Sequence, residues 1–449
     1  MMPKLGALVG AGSLCGLFAL LCTAAVPAQY ALPYQVSGDV SESFRLLTTT
    51  YYSPVDPQVL LAAASDALTS AAKKRGVTIA PPQLTVQPDR DATVAALDEA
   101  IADAAHAAGA PPADFAYAAI IAMAKAVNDR YTQFFTPAEF KAFNTSLDPE
   151  KIGGIGVMIE PDSATQRVRV SYVVPSTPAE RAGLQVGDVV MLVDGVSTKG
   201  LGVEAVSSRL RGKPGTVVNV TVARGAAPVQ NAKLSITREN VQPPTVVYKM
   251  LPDDIGYVWV IAFGRATPAE FDTAVARLNA QGAKALVLDL RNDGGGYVNS
   301  ALDISSRFIA NKAIVTVEER GQKPETIDAD PNPSIAVPVS VLVNQYTASA
   351  SEITAGALQD DGIGQLVGTK TFGKGVMQTL TPLPDGAAIK VTTAHYLTPS
   401  KRDINLRGID PDVSVEEPKG SRFGDADRDP QLRAAMLLLQ KKIAEAKPN

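Results

Sequence analysis

Residues 344–361, NQYTASASEITAGALQDD, place one threonine and two serines between the apolar run PVSVLV (338–343) and a helix-like stretch. Hydroxyls at such a junction suit two kinds of work. Ser349-Ala-Ser-Glu352 is a capping box, in which the hydroxyl accepts from the amide three residues on and the glutamate reaches back. The same junction also suits acyl transfer. Amides at a helix N-terminus point outward and favour negative charge, which a tetrahedral oxyanion requires. Serine attacks only once a base removes its proton. Two candidate bases stand in this half of the chain: His395, in the strand-like IKVTTAHYLTP (389–399), and Lys374, in TKTFGKGVMQTL (369–380). A lysine must be neutral to serve. Bringing its pKa from about 10.4 to near 7 costs roughly 4 to 5 kcal/mol, and burial beside apolar groups supplies shifts of that size. Phe372 and Val376 are the apolar neighbours expected to do so. Otherwise, a lysine between Gly373 and Gly375 is a solvated turn residue. RNDGGGYV (291–298) reads either as a mobile loop or as a backbone amide offered to developing charge, with glycine allowing close approach.

These segments need elements to hold them. ALVLDL (285–290) and PVSVLV are continuous apolar runs, as strands buried on both faces should be. IGYVWVIAF (255–263) and AIVTV (313–317) are further strands. Thr267-Pro-Ala-Glu270 predicts a helix with Thr267 as N-cap, Pro at the first position and Glu at the third. Strand–helix alternation from about residue 245 predicts an α/β core. Before it, GGIGVMIE (153–160), RVRVSYVV (167–174), DVVMLVDGV (188–196) and TVVNVTVAR (216–224) are strand-like. With helical TPAERAGL (177–184) and VEAVSSRLR (203–211), they form a small separate domain. Residues 30 to about 150 read as mostly helical, for instance ATVAALDEAIADAAHAAGA (92–110) and DFAYAAIIAMAKAVNDR (114–130), and show no active-site chemistry. His106 sits there among alanines as an ordinary helical residue. PQLRAAMLLLQKKIAEA (430–446) is a terminal amphipathic helix after an acidic linker.

Composition narrows the function classes. With 449 residues, 46% apolar and 20% charged, the chain has material for several packed domains. A net charge of −4 without a basic block argues against nucleic acid as a partner. Lys4 followed by an uncharged apolar run ending Val26-Pro-Ala28 reads as a secretory signal peptide, or as an uncleaved anchor through residues 5–28, since the run is long enough to span a bilayer. Both cysteines, Cys15 and Cys22, lie in that run. A chain cut after Ala28 has no disulfide, thiol nucleophile or cysteine metal site, and two histidines cannot build a His-rich metal centre.

Three segments, LDLRNDGGG (288–296), NQYTASASEI (344–353) and TFGKGVMQT (371–379), resemble in order and spacing the carboxyl-terminal processing proteases of peptidase family S41. The resemblance extends over almost all of the mature chain, from DRYTQFFTPAEFKAF (129–143) through a PDZ-like segment to LTPSKRDINLRGIDPDV (397–413). It implies a nucleophile at Ser349, a general base at Lys374, 25 residues later, and a lysine-orienting Gln378. It puts the oxyanion on the amides of Gly295 and Ala350, and implies no metal or cofactor. Thr347 and Ser351 do not occupy the family's nucleophile position, and His395 is read as structural. Gly153, Gly154, Ile155 and Gly156 would form the carboxylate-binding loop of the PDZ domain, which holds a protein's apolar C-terminal tail as an added strand. Leu210 would line its pocket, and Arg211 would touch the protease core.

The implied organisation is multidomain α/β (α+β). A signal peptide or anchor (1–28) precedes a helical N-terminal region (29–150), a PDZ domain (151–238), a protease core of the ClpP/crotonase-like type (239–418), and a linker with a C-terminal helix (419–449). The implied setting is exported, periplasmic or extracytoplasmic, with inner-membrane anchoring as the variant. The partners are protein substrates with apolar tails; an adaptor and a homo-oligomer are left open. Two rival readings of the sequence stand beside this one. GTKTFGKG (368–375) has a P-loop's G-x4-G-K, but Gly375 stands where Ser or Thr should hold Mg²⁺ and no helix follows. A secreted PDZ scaffold that binds tails and cuts nothing would look the same outside the Ser–Lys pair.

Overall fold

The computed structural model describes residues 32–162, 164–225, 230–418 and 423–445. The expected signal or anchor segment lies outside them. Among the described residues no helix is long and apolar enough to cross a membrane.

The core is a six-stranded sheet of mixed direction. Val246–Leu251 runs antiparallel to Ile255–Val260; then Ala285–Asp289, Val339–Val343, Gly364–Gly368 and Val413–Ser414 follow in parallel. Every residue of Ala285–Asp289 and Val339–Val343 is buried, because helices cover both faces. One face carries Thr267–Ala280, Val298–Ser306 and Ala350–Asp360, through Phe271, Ile304 and Ile353. The other carries the C-terminal helix Pro430–Glu445, through Leu432, Met436 and Leu439. The C-terminal helix, expected as an amphipathic helix after a linker, is thus one wall of the core.

The N-cap expected at Thr267 is not there. Ala266 precedes the helix, which starts at Thr267 itself. Glu270 turns instead to the first core strand, where its carboxylate accepts from the amides of Thr245 (2.7 Å) and Val246 (3.1 Å). A tertiary acceptor role displaced the local one.

A second sheet contains the antiparallel hairpin Val376–Pro382 and Ala388–Leu397, extended by Ala313–Glu319, Glu325–Asp328 and the short strand Gln133–Phe135. That last strand comes from the N-terminal region, whose helices Tyr34–Thr49, Pro57–Lys74, Arg90–Ala108 and Pro112–Ala126 share an apolar cluster with Leu383, Ala387, Ile389 and Val391 of the hairpin. The N-terminal region therefore rests on the strands that follow Lys374.

Between these units in sequence lies a six-stranded antiparallel sheet with the helices Pro178–Arg181 and Val203–Leu210. Its edge strand, Val157–Asp162, pairs on one side only, with Arg167–Val173.

Candidate active site

Three adjacent parallel strands end together. Ala285–Asp289 opens into the Gly-rich turn, Val339–Val343 into the hydroxyl cluster, and Gly364–Gly368 into the lysine loop. In open α/β sheets ligands bind outside the carboxyl ends of the strands, and there the tertiary structure assembles the three segments.

The three hydroxyls separate by environment. Thr347 is buried and donates to the Leu290 carbonyl at 2.8 Å, tying two strand ends. Ser351 is buried and donates to the Asp293 carbonyl at 3.1 Å, holding the Gly-rich turn. Ser349 alone is half-exposed. Its backbone has φ 59° and ψ −118°, a conformation costing about 1–3 kcal/mol in a non-glycine residue and characteristic of functional turns.

Glu352 joins the Ser349 turn to the Lys374 loop. It is wholly buried, and its carboxylate accepts from Ser349 N (3.0 Å), Lys374 N (2.8 Å), Gly373 N (2.8 Å) and the Thr371 hydroxyl (2.6 Å). One capping-box arm is thus also a tie between two loops. The buried Tyr396 hydroxyl lies 2.6 Å from the Lys374 carbonyl and 3.2 Å from that of Ser349, as a second tie. Gly373, at φ 87°, lets the lysine loop press on residues 404–408: a Cβ there would fall 2.7 Å from Gly408 N.

Lys374 is half-buried, and burial pushes its ammonium down to about 8. Lys390 pushes the same way, while Glu352 and Asp129 oppose. Of the two apolar neighbours expected to bury it, Val376 is itself buried. Phe372 is 47% exposed. The Tyr131 ring covers the amine instead, 5.0 Å from Nζ to the ring centre. A segment in which sequence showed no active-site chemistry thus supplies a wall of the site. The His395 ring packs edge-on against Tyr52 at 4.5 Å, in a strand register opposite Val376.

Gly295 lies directly on the turn that carries Ser349. At φ 94°, a Cβ on it would come within 2.6 Å of Ala348 O, 2.8 Å of Ala350 N and 2.8 Å of Ser349 Cβ, so no side chain fits. Its amide donates to Asp293 Oδ1 at 2.8 Å. Asp293 is buried, its Oδ2 has no partner, and burial pushes its carboxyl up to about 8. Gln378 Nε2 donates to the Val376 carbonyl at 3.3 Å. The Ser349 hydroxyl and the Lys374 amine are not hydrogen-bonded to each other here. The parts are gathered, but the Gly295 amide and the Gln378 side chain point at partners within the chain.

In the PDZ-like unit, Gly153 and Gly154 form a short strand, Ile152–Gly154, paired with Glu239–Val241. Ile155 and Gly156 make the turn into the free edge strand. A groove of about 180 Å³ follows that edge, with Ile155, Val157, Ile159 and Leu210 among its lining. Arg211 also lines it and pairs with Glu204 of the preceding helix at 3.6 Å, and among the described residues forms no ion pair with the α/β core. The core is met elsewhere, by Glu180 against Arg277 at 2.6 Å.

Comparison with known proteins agrees with this architecture. Residues 254–415 match peptidase family S41, and residues 169–224 match a PDZ domain. A carboxyl-terminal-processing protease of Picosynechococcus sp. is 37% identical over 330 residues, covering 73% of this chain and 79% of that protein. A probable CtpA-like serine protease of Staphylococcus saprophyticus is 36% identical over 304 residues, covering 67% of this chain and 60% of that longer protein. The solved photosystem II D1 C-terminal processing protease is 30% identical, covering 86% of this chain and 94% of that one, with a TM-score of 0.45. The chain belongs to the S41 carboxyl-terminal-processing proteases, and is a serine peptidase carrying a PDZ domain.

Proposed function

We propose that this peptidase cuts exported proteins near their C-termini with a Ser349–Lys374 dyad. The Glu352 carboxylate supports this reading most directly, because it holds the backbone amides of both residues at once. The neutral Lys374 amine takes the proton from Ser349 Oγ, which attacks the scissile carbonyl. The resulting oxyanion rests on the Gly295 and Ala350 amides. The lysine then gives its proton to the departing amine, and water, deprotonated by the same lysine, releases the acyl group. Gln378 orients the amine. For this to run, the Gly295 amide must turn from Asp293 toward the substrate, and Gln378 from Val376 toward the lysine. No metal or cofactor takes part in this scheme.

The PDZ groove takes the tail. The edge strand Val157–Asp162 offers unpaired backbone to an extended peptide, the turn at Gly153–Gly156 receives the carboxylate, and the apolar lining around Leu210 selects an apolar terminus. The charge-free run in residues 5–28 supports an extracytoplasmic location.

The test uses an unstructured protein with an apolar C-terminus. Wild type should degrade it, with kcat/KM rising as pH passes about 8 and Lys374 loses its proton. Ser349→Ala and Lys374→Ala should be inactive, and His395→Ala should remain active. Equal cleavage by wild type and Ser349→Ala would end the proposal and leave a tail-binding scaffold. Loss of activity in His395→Ala with retention in Lys374→Ala would move the base to histidine.

A further inference from the structure

The Gly-rich turn is held at both ends. On its N-terminal side the Asp293 carbonyl accepts from Ala348 N at 3.0 Å and from the Ser351 hydroxyl at 3.1 Å. On its C-terminal side the Gly295 carbonyl accepts from Phe263 N at 3.0 Å, and Tyr297 N donates to the Phe263 carbonyl at 2.8 Å. Gly296 packs onto the same residue: a Cβ on it would fall 2.3 Å from Phe263 O. The peptide before Gly295 carries the amide that must turn toward substrate, while the peptide after it is bonded to Phe263. How well that amide is aimed therefore depends on how firmly the loop at Phe263 is placed.

Asp148 places that loop. One carboxylate oxygen accepts from Arg265 N at 2.8 Å and the other from the Tyr297 hydroxyl at 2.9 Å. Arg265 lies two residues beyond Phe263, and Tyr297 two beyond Gly295, so a single side chain grips both partners of the bridge. The preceding Leu147 carbonyl presses on the same loop: a Cβ on Gly264 would fall 2.5 Å from it. Asp148 also meets the Arg265 guanidinium at 3.2 Å, but that side chain is 79% exposed, and an exposed ion pair contributes little. The bonds from the carboxylate to an amide and a phenol are the stronger part. Asp148 is itself anchored. Its amide donates to the Asn144 carbonyl at 2.8 Å, closing the helix Pro137–Leu147. Phe143 of that helix stacks at 5.1 Å on Phe135, whose strand pairs with the lysine hairpin. One segment thus reaches from the hairpin that follows Lys374 to the turn that carries Gly295.

We propose that Asp148 is a positioning residue for the peptidase reaction, gripping Arg265 N and the Tyr297 hydroxyl so that Phe263 holds the Gly295 turn against Ser349. The inference rests on the Ser–Lys reading of the site, which gives Asp148 no role.

Two measurements on the full-length chain test it. In the Ser349→Ala background, amide hydrogen exchange is followed by peptide mass over residues 261–266 and 291–298. Asp148→Ala should quicken exchange in both segments by about tenfold, as a locally loosened unit does. With Ser349 intact and the unstructured, apolar-tailed substrate, Asp148→Ala should lower kcat by about 10- to 100-fold, the scale of a misplaced oxyanion donor, with KM within about twofold of wild type. Asp148→Asn keeps an acceptor for Arg265 N and a partner for the phenol, so it should restore kcat to within about threefold of wild type. Tyr297→Phe loses one bond of the two and should fall between; it also serves if Asp148→Ala does not fold, which thermal melts report. Unmoved exchange in both segments overturns the proposal. So does quickened exchange with kcat unchanged, and so does a raised KM with kcat unchanged. Equal cleavage by Ser349→Ala and wild type would remove the Ser–Lys reading and the proposal with it, whereas the other three results remove the proposal alone.

Discussion

Ser349 differs from its neighbouring hydroxyls in what its backbone and surroundings leave it free to do. Thr347 and Ser351 spend their hydroxyls on carbonyls of the adjacent strand end and turn. Glu352 is the residue whose loss should be felt most widely, since four donors converge on it in a buried site. Glu352→Gln keeps one acceptor oxygen and turns an NH₂ group toward amides that also donate. Losing one or two charge-assisted bonds at about 1.5–3 kcal/mol each should lower kcat/KM by about 100-fold or more, with far-UV circular dichroism unchanged. A Glu352→Gln enzyme within threefold of wild type would show that the tie between the two loops is dispensable. Ser349, Glu352, Lys374 and the glycines were legible as residue types at fixed spacing. Tyr131 and Tyr396 were not. Nothing local marks them, and Tyr131 reaches the lysine only because a strand from the N-terminal region pairs with Ala388–Leu397.

Two elements hold the site from outside. The C-terminal helix is pinned by Asp429, which with Asp289 receives the wholly buried Arg291 guanidinium at 2.6–2.9 Å. Burial opposes that charge, but the two carboxylates outweigh it and hold Arg291 above its ordinary range. The Gly-rich turn begins at this arginine, so the helix braces the turn that carries Gly295. On the opposite side, the N-terminal helices dock on the lysine hairpin through an acidic contact. Asp39 is buried and accepts from the Asp385 amide at 3.3 Å, and Tyr117 donates to the Asp385 carboxylate. Burial, then the neighbouring Asp385 carboxylate, pushes Asp39 up to about 7. A raised acid pKa means that the folded state binds the extra proton, so stability contributed by the protonated form is lost as pH rises from about 4 toward 7. Asp39→Asn, which cannot ionise, should therefore melt at a higher temperature than wild type, by a margin that grows from pH 4 to pH 7 and levels off above. A margin independent of pH would mean that Asp39 is not the titrating group.

At the scale of the whole molecule, the PDZ unit meets the core through few contacts. Glu180 pairs with Arg277, both partly exposed, and Tyr172 meets Tyr248 edge-on at 6.0 Å. Cavities of about 370 and 670 Å³ are lined from both sides of the junction. An exposed ion pair is worth about 0–1 kcal/mol, so docking of this kind permits relative motion. Arg277→Glu sets two carboxylates against each other. Amide hydrogen exchange over residues 239–245, which run along the junction, should then quicken, while the core's thermal midpoint moves by less than about 2 °C, as expected of a surface change. Unaltered exchange over residues 239–245 would show that the ion pair does not govern the docking.

The amino-acid sequence by itself determined the strands, the PDZ-like and α/β units, and the residue types able to carry acyl transfer, because those signals are local. Apolar runs bury whole strands, alternation marks half-buried ones, and a hydroxyl, a lysine and a glycine run keep their spacing however the chain is bent. Tertiary structure alone decided which hydroxyl stays free, what covers the lysine, and where the Gly295 amide points. Each of those depends on groups brought together from distant parts of the chain: Asp293 beneath the glycines, Tyr396 between two loops, and Tyr131 over one amine. A pKa or a free hydrogen-bond donor is a property of such surroundings, and surroundings exist only once the strands have ended side by side.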